Sequence, residues 1–71
     1  MARSRLTWHL EMVDWDAIRK GLYGGDRFCN TRVENFFCLS DVWEYLGFHL
    51  KKQRFGYASI KNNVEYVLTR M

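Results

Sequence analysis

The first patterned segment, residues 6–13, alternates apolar and polar side chains. Leu6, Trp8 and Leu10 fall on one side of an extended chain, with polar residues between them. A period of two predicts a half-buried β-strand. Leu6, Leu10 and Val13 would also share one side of a helix, so a helix is the alternative for this segment.

Helical spacing of apolar residues begins after this segment. Asp14 is suited to cap a helix over residues 15–23, because its carboxylate can accept a hydrogen bond from a free backbone N–H of the first turn. Gly24 and Gly25 would end that helix, since glycine adopts the left-handed conformation without strain.

Residues 31–38 allow two interpretations. Thr31 and Glu34 have the spacing of a capping box, which predicts a short helix over residues 32–38. The alternative is a strand across residues 27–37, because the valine and phenylalanine side chains there favour extended structure.

A second short helix is predicted over residues 41–46. Ser40 can cap it, Val42 and Leu46 share one side, and Gly47 would end it. Residues 48–57 follow, with apolar side chains at both ends and a basic cluster between them. That pattern predicts a β-hairpin with a basic tip, or a long irregular turn as the alternative.

The final segment has apolar residues at helical spacing. Ser59 can cap a helix, and the apolar positions continue to the last residue in a single stripe. The stripe consists of Ile60, Val64, Val67, Leu68 and Met71. A long final helix is therefore predicted, and Met71 at its end is a candidate contact for a homodimer.

The two predicted C-terminal helices resemble the helix-turn-helix family. Gly47 takes the place of the turn glycine, while Val42 and Leu46 take buried positions. Trp43 stands where the family usually has alanine, and the connection to the last helix is about twelve residues long, unlike the short turn of the family. Together with the predicted strand and hairpin, the resemblance indicates an α+β fold: a small single domain, mainly short helices in a helix-turn-helix-like or winged arrangement, with a small β-hairpin or strand.

The composition fits one small folded domain. Of the 71 residues, 48% are hydrophobic and 17% aromatic, which excludes a disordered chain. A domain of this length buries only about 60% of its unfolded surface, so some aromatic rings should stay exposed. We expect residues 6–71 to form the domain and residues 1–5 to form a flexible arm.

Catalytic and metal-binding motifs are absent from the sequence. No segment has the spacing of a phosphate-binding loop, a nucleophile motif or a zinc site, so we expect neither an enzyme nor a cofactor. Cys29 and Cys38 are the only cysteines and no signal peptide precedes them, which predicts reduced thiols in a cytoplasmic protein, with a single disulfide as the alternative. No apolar run approaches the roughly 18 residues of a membrane helix, so no membrane partner is expected.

Charge is distributed unevenly along the chain. Residues 1–47 carry six Lys and Arg against seven Asp and Glu, whereas residues 48–71 carry five against one. A basic C-terminal third beside a polar helical side favours DNA as a partner and predicts salt-sensitive binding. We therefore expect a small non-catalytic regulator of transcription. The candidate nucleic-acid-binding residues are Lys51, Lys52, Arg54, Lys61, Asn62, Asn63 and Arg70.

The alternative is a protein-binding modulator of the kind that phages encode. Such a protein would dock on a nucleic-acid-handling machine of the host, such as RNA polymerase, and alter transcription without touching DNA. The surplus of Trp, Tyr, Phe and Arg supports this interpretation, because these residues dominate binding energy in protein interfaces. The candidate interface residues are Trp8, Trp15 and Tyr23.

Overall fold

Five antiparallel strands form one sheet in this computed structural model, which describes residues 7–71. The arm predicted for residues 1–5 lies outside the described residues. The strands are β1 (Trp8–Asp14), β2 (Thr31–Phe36), β3 (Lys51–Gln53), β4 (Gly56–Lys61) and β5 (Val64–Arg70), in the spatial order β2-β1-β5-β4-β3. Between strands lie the helices α1 (Trp15–Arg19) and α2 (Leu39–Leu46) and two 3-10 turns, Leu22–Gly25 and Phe28–Asn30.

Helix α2 packs on one face of the sheet, which we call the covered face. Leu10 of β1, Leu68 of β5 and Val42 of α2 are fully buried there, and Leu50 completes the buried cluster. Half-buried aromatic and apolar side chains surround this cluster. Because strand side chains alternate between faces, alternate residues of β1 and β5 lie on this face, and most of them are apolar, with Arg70 at its end as the charged exception.

The opposite face, which we call the open face, is covered at one end only. There Val13 is buried, and the indole Nε1 of Trp15 donates a hydrogen bond of 2.8 Å to Glu65. The remaining residues of this face are partly or fully exposed. They include His9, Glu11, Val33, Asn35, Ala58, Ile60, Val67 and Thr69.

The long final helix predicted from Ser59 to Met71 is wrong, because these residues form β4, a turn and β5. Asn62 and Asn63 occupy the turn with φ values of 53° and 65°. Positive φ at both central residues is the requirement of a tight hairpin turn, and asparagine tolerates it well. Leu68 is consequently buried, while the adjacent Val67 points to the open face.

The helix predicted over residues 32–38 is also wrong. The strand alternative is correct for residues 31–36, but residues 28–30 form a 3-10 turn. The hydroxyl of Thr31 donates to the carbonyl of Arg27 and does not cap a helix. Glu34 instead lies 3.5 Å from the side chain of Arg32, two residues away on the same face of β2. Pairing along β1 stabilises this extended conformation.

Three local predictions are confirmed: the strand in the segment 6–13, the Asp14 cap of the first helix and the end of the second helix at Gly47, whereas Gly24 and Gly25 lie in a 3-10 turn and do not end α1. β1 is a strand, and the Asp14 carboxylate accepts a hydrogen bond from the Ala17 amide at the start of α1, although α1 ends earlier than predicted. Gly47 ends α2 with φ of 81°, but the N-cap position is Cys38 and not Ser40.

The fold class predicted from the sequence is wrong. The domain is mostly sheet with one substantial helix, and it has no helix-turn-helix arrangement within residues 7–71. The predicted basic hairpin is present as β3 and β4, and it forms one edge of the sheet. No helix in this part of the chain is long and apolar enough to cross a membrane.

Candidate nucleic-acid interface

Three of the predicted DNA-binding cations lie at one end of the sheet, beside aromatic rings. Arg54 and Phe55 form the turn between β3 and β4, and the pairing of Gly56 with Thr69 brings this turn beside the end of β5. We call this region the basic–aromatic surface. It consists of Lys52, Arg54, Arg70, Trp8, Phe55 and Tyr57.

Ring contacts join the members of this surface. The Lys52 Nζ lies 5.0 Å from the centroid of the Tyr57 ring, and the Arg70 guanidinium lies 5.3 Å from the Trp8 ring. The Trp8 and Tyr57 rings meet edge to face, with their centroids 6.1 Å apart. The Trp8 and Tyr57 rings are half-buried, whereas Lys52 and Arg70 are exposed. The rings therefore position the two cations while their charges stay in water.

The positive charge of this region is not neutralised by ion pairs. Within residues 7–71, the ion pairs of lysine and arginine are Asp16–Lys20 and Arg32–Glu34, and the His9 ring lies 3.6 Å from Glu11. The five cations between residues 51 and 70 have no carboxylate within 4.0 Å in the described part of the chain. Such a surface attracts anions, and its affinity for them falls as the salt concentration rises.

Phe55 is the most exposed ring of the surface. The residue is 83% exposed, and the Arg54 guanidinium lies 5.7 Å from the centroid of its ring. A shallow cavity of about 290 Å³ opens beside it on the open face, lined mainly by apolar atoms of the hairpin and β5. An exposed ring next to a cation suits stacking on a nucleobase.

The other predicted DNA-binding residues lie elsewhere. Lys61, Asn62 and Asn63 form the opposite end of the β4–β5 hairpin, about 17 Å along the strand from Gly56. The Lys61 Nζ lies 4.1 Å above the Phe48 ring at that end. Lys51 pairs with Ala58 and therefore points to the open face, away from Lys52.

The three residues predicted for a protein interface have different surroundings. Trp8 packs against the core and belongs to the basic–aromatic surface, which the sequence did not indicate because its neighbour Arg70 is distant in the chain. Trp15 bonds to Glu65 and lies under the Arg27 guanidinium, 5.8 Å from the ring centroid. Tyr23 is exposed, in a left-handed conformation with φ of 53°.

Both cysteines are free and exposed in the described residues, one near each end of β2. Partial desolvation and the nearby Asp26 carboxylate raise the pKa of the Cys29 thiol above its ordinary value. A raised pKa lowers the fraction of the Cys29 thiol that is ionised at neutral pH. Within residues 7–71, no three His, Cys, Asp or Glu side chains are grouped so that they could hold a metal ion.

Comparison with known proteins identifies no relative. The chain matches no protein family, no curated protein and no solved structure.

Proposed function

We propose that this protein is a non-catalytic, cytoplasmic DNA-binding regulator of transcription that contacts DNA through the basic–aromatic surface. The observation that supports the proposal is the grouping of Lys52, Arg54 and Arg70, without ion-pair partners, around three aromatic rings at one end of the sheet. The cations would bind phosphates and release counterions, while Phe55 would stack on a base.

The helices are unsuitable for reading a DNA groove. Helix α2 packs its apolar side on the sheet, and its exposed residues include Asp41 and Glu44, which would repel phosphates. Helix α1 is five residues long and carries Asp16. The β3–β4 hairpin is thus the element that would contact DNA. Because ring stacking needs an unpaired base, we expect single-stranded DNA to bind more tightly than duplex DNA.

The test is a titration of labelled single-stranded and duplex oligonucleotides of random sequence, followed by fluorescence anisotropy at about 50 and 200 mM salt. The test variant replaces Lys52, Arg54 and Arg70 with alanine. The control variant replaces Arg19, Lys20 and Arg27 with alanine. Each variant lowers the formal net charge from +3 to 0, so overall charge is matched and only its position differs.

The expected result is micromolar binding that falls roughly tenfold between the two salt concentrations. The test variant should lose most of this binding, and the control variant should keep most of it. Equal losses of affinity in both variants would mean that DNA binding depends on the net charge of the protein and not on this surface. Absence of binding at low salt would refute the proposal.

Docking on a protein partner is the second candidate function. Leu22, Tyr23 and Phe28 lie in the segment between α1 and β2, and Phe28 is 88% exposed. Exposed aromatic groups in a short segment are typical of protein interfaces. If this candidate is correct, purified RNA polymerase should bind the wild type but not a Tyr23→Ser, Phe28→Ser variant, and the Lys52, Arg54 and Arg70 variant should bind normally.

A further inference from the structure

The outer edge of β2 is the longer of the two free edges of the sheet. β2 has six residues and contains no proline, whereas β3 at the other edge has three residues, two of them lysines. Short, lysine-rich edge strands resist pairing with other chains. Arg32, Val33 and Asn35 are exposed, so the edge of β2 is accessible to another strand.

The backbone groups that point outward from β2 follow from the hydrogen bonds of β1. The Met71 amide donates to the Thr7 carbonyl at 2.8 Å, and the Trp15 amide donates to the Asn63 carbonyl at 3.0 Å. The backbone groups of odd-numbered β1 residues therefore form hydrogen bonds with β5, and those of even-numbered β1 residues form hydrogen bonds with β2. In the register of β1 with β2, even-numbered residues lie opposite even-numbered residues, so the even-numbered residues of β2 are directed inward. The β2 residues whose N–H and C=O groups are directed outward are Thr31, Val33 and Asn35.

Charge along β2 selects one way in which this edge can pair with itself. In an antiparallel arrangement centred on Val33, Arg32 lies opposite Glu34 of the second copy, and the reverse pair forms by symmetry. Shifting the register by two residues in either direction puts Arg32 opposite Arg32 or Glu34 opposite Glu34. Opposite charges across strands are stabilising and like charges are destabilising, so only the centred register is self-complementary in charge.

We propose that a second copy of this chain binds at the β2 edge, in antiparallel pairing about a two-fold axis at Val33. The two sheets join into one sheet of ten strands. Thr31 pairs with Asn35 of the second copy, and the two Val33 residues pair with each other through their outward backbone groups. This proposal is independent of DNA binding, because the basic–aromatic surface does not include the β2 edge.

Exposed rings at both ends of β2 fit the same arrangement. Phe28 precedes the strand and is 88% exposed, and Phe37 follows the strand and is 51% exposed. Antiparallel pairing brings Phe28 of one copy toward Phe37 of the other at each end of the shared ladder. The dimer thus covers apolar surface that the single chain leaves in water.

Charge reversal tests the dimer. The wild type should sediment at twice its mass of 8.6 kDa, whereas Arg32→Glu and Glu34→Arg should each dissociate roughly tenfold more easily, since each places like charges opposite one another. An equal mixture of the two variants should restore the dimer, because one copy then offers two glutamates and the other two arginines. Circular dichroism should show an unchanged fold, since the Arg32 side chain is 74% exposed.

A proline variant tests the backbone pairing. Val33→Pro removes an N–H that is directed outward, so it should abolish the dimer and leave the β1–β2 ladder intact. A wild type that stays monomeric to about millimolar concentration would overturn the proposal. A dimer that persists in Arg32→Glu, Glu34→Arg and Val33→Pro would also overturn it, because the contact would then lie elsewhere.

The two cysteines test the register. Cys29 precedes β2 and Cys38 follows it, so antiparallel pairing brings Cys29 of one copy near Cys38 of the other. A short bismaleimide should cross-link the wild-type dimer, and it should also cross-link a mixture of Cys29→Ser with Cys38→Ser. Neither variant alone should cross-link. Each variant keeps one cysteine per copy, and in the antiparallel dimer these two cysteines lie at opposite ends of the paired β2 strands, about 17 Å or more apart. Efficient cross-linking in either variant alone would overturn the register.

Discussion

The covered and open faces of the sheet come from the same strands but have different physical character. Leu68 and Val67 are neighbours in β5, yet Leu68 is fully buried under α2 while Val67 is partly exposed on the open face. The same contrast separates Leu10 from His9 and Glu11 in β1. Burial against α2 supplies the stability of the domain, and the exposed parts of the sheet are available for binding.

The largest expected effect comes from shortening side chains on the covered face. Leu68→Ala should lower the free energy of unfolding by about 3–4 kcal/mol, because it removes a buried side chain and leaves a cavity. Val67→Ala should cost about 1 kcal/mol or less, because its side chain already contacts water. Urea denaturation of both variants measures the difference, and similar losses would show that the two faces do not differ in packing.

The second effect concerns the backbone at the start of β4. A Cβ at Gly56 would lie 2.1 Å from the Leu68 carbonyl oxygen, so the two strands must move apart in Gly56→Ala. We expect a loss of about 2–3 kcal/mol in the free energy of unfolding. Gly47→Ala is the control, with φ of +81° but no atom within 4 Å of the added Cβ, and it should cost about 1 kcal/mol. Equal losses in thermal or urea melts would contradict this explanation.

A smaller effect is expected at the one covered end of the open face. Glu65→Ala removes the acceptor for the Trp15 indole, which bonds to it at 2.8 Å. The free energy of unfolding should fall by about 1 kcal/mol, whereas Glu65→Gln keeps an acceptor oxygen and should cost less. Tryptophan fluorescence during denaturation measures both variants. Equal losses in the two variants would show that the charge of Glu65, and not the hydrogen bond, matters there, because both substitutions remove the charge.

The smallest expected effect is a difference in DNA binding between lysines on the covered and open faces of the sheet. Lys51 and Lys52 are adjacent and equally charged, but Lys52 lies over Tyr57 on the covered side while Lys51 points to the open face. Lys52→Ala should weaken binding to single-stranded DNA by about threefold, and Lys51→Ala should change it less. Anisotropy titration at low salt compares them. Equal effects would assign the DNA contact to the hairpin as a whole rather than to one face.

The candidate site was only partly predictable from the sequence. Lys52 and Arg54 are close in the chain, and their placement in a basic hairpin followed from the local pattern. Lys61, Asn62 and Asn63 were predicted to lie on a final helix beside this hairpin, but they lie at the far end of β4 and in the turn that follows it, at the opposite end of the sheet. Arg70 and Trp8 meet because β1 pairs with β5, and nothing local in either segment indicates that partner.

Features that depend on neighbouring residues were determined by the sequence alone. The alternation in β1, the Asp14 cap of α1 and the Gly47 end of α2 each involve groups a few residues apart, so the local chain suffices to specify them. The tertiary structure decided the rest. The apolar spacing of residues 60–71 suits a helix, but the tight turn at Asn62 and Asn63 and the pairing of β5 with both β1 and β4 favour strands. Long-range backbone hydrogen bonds and burial of Leu68 under α2 outweigh local propensity there.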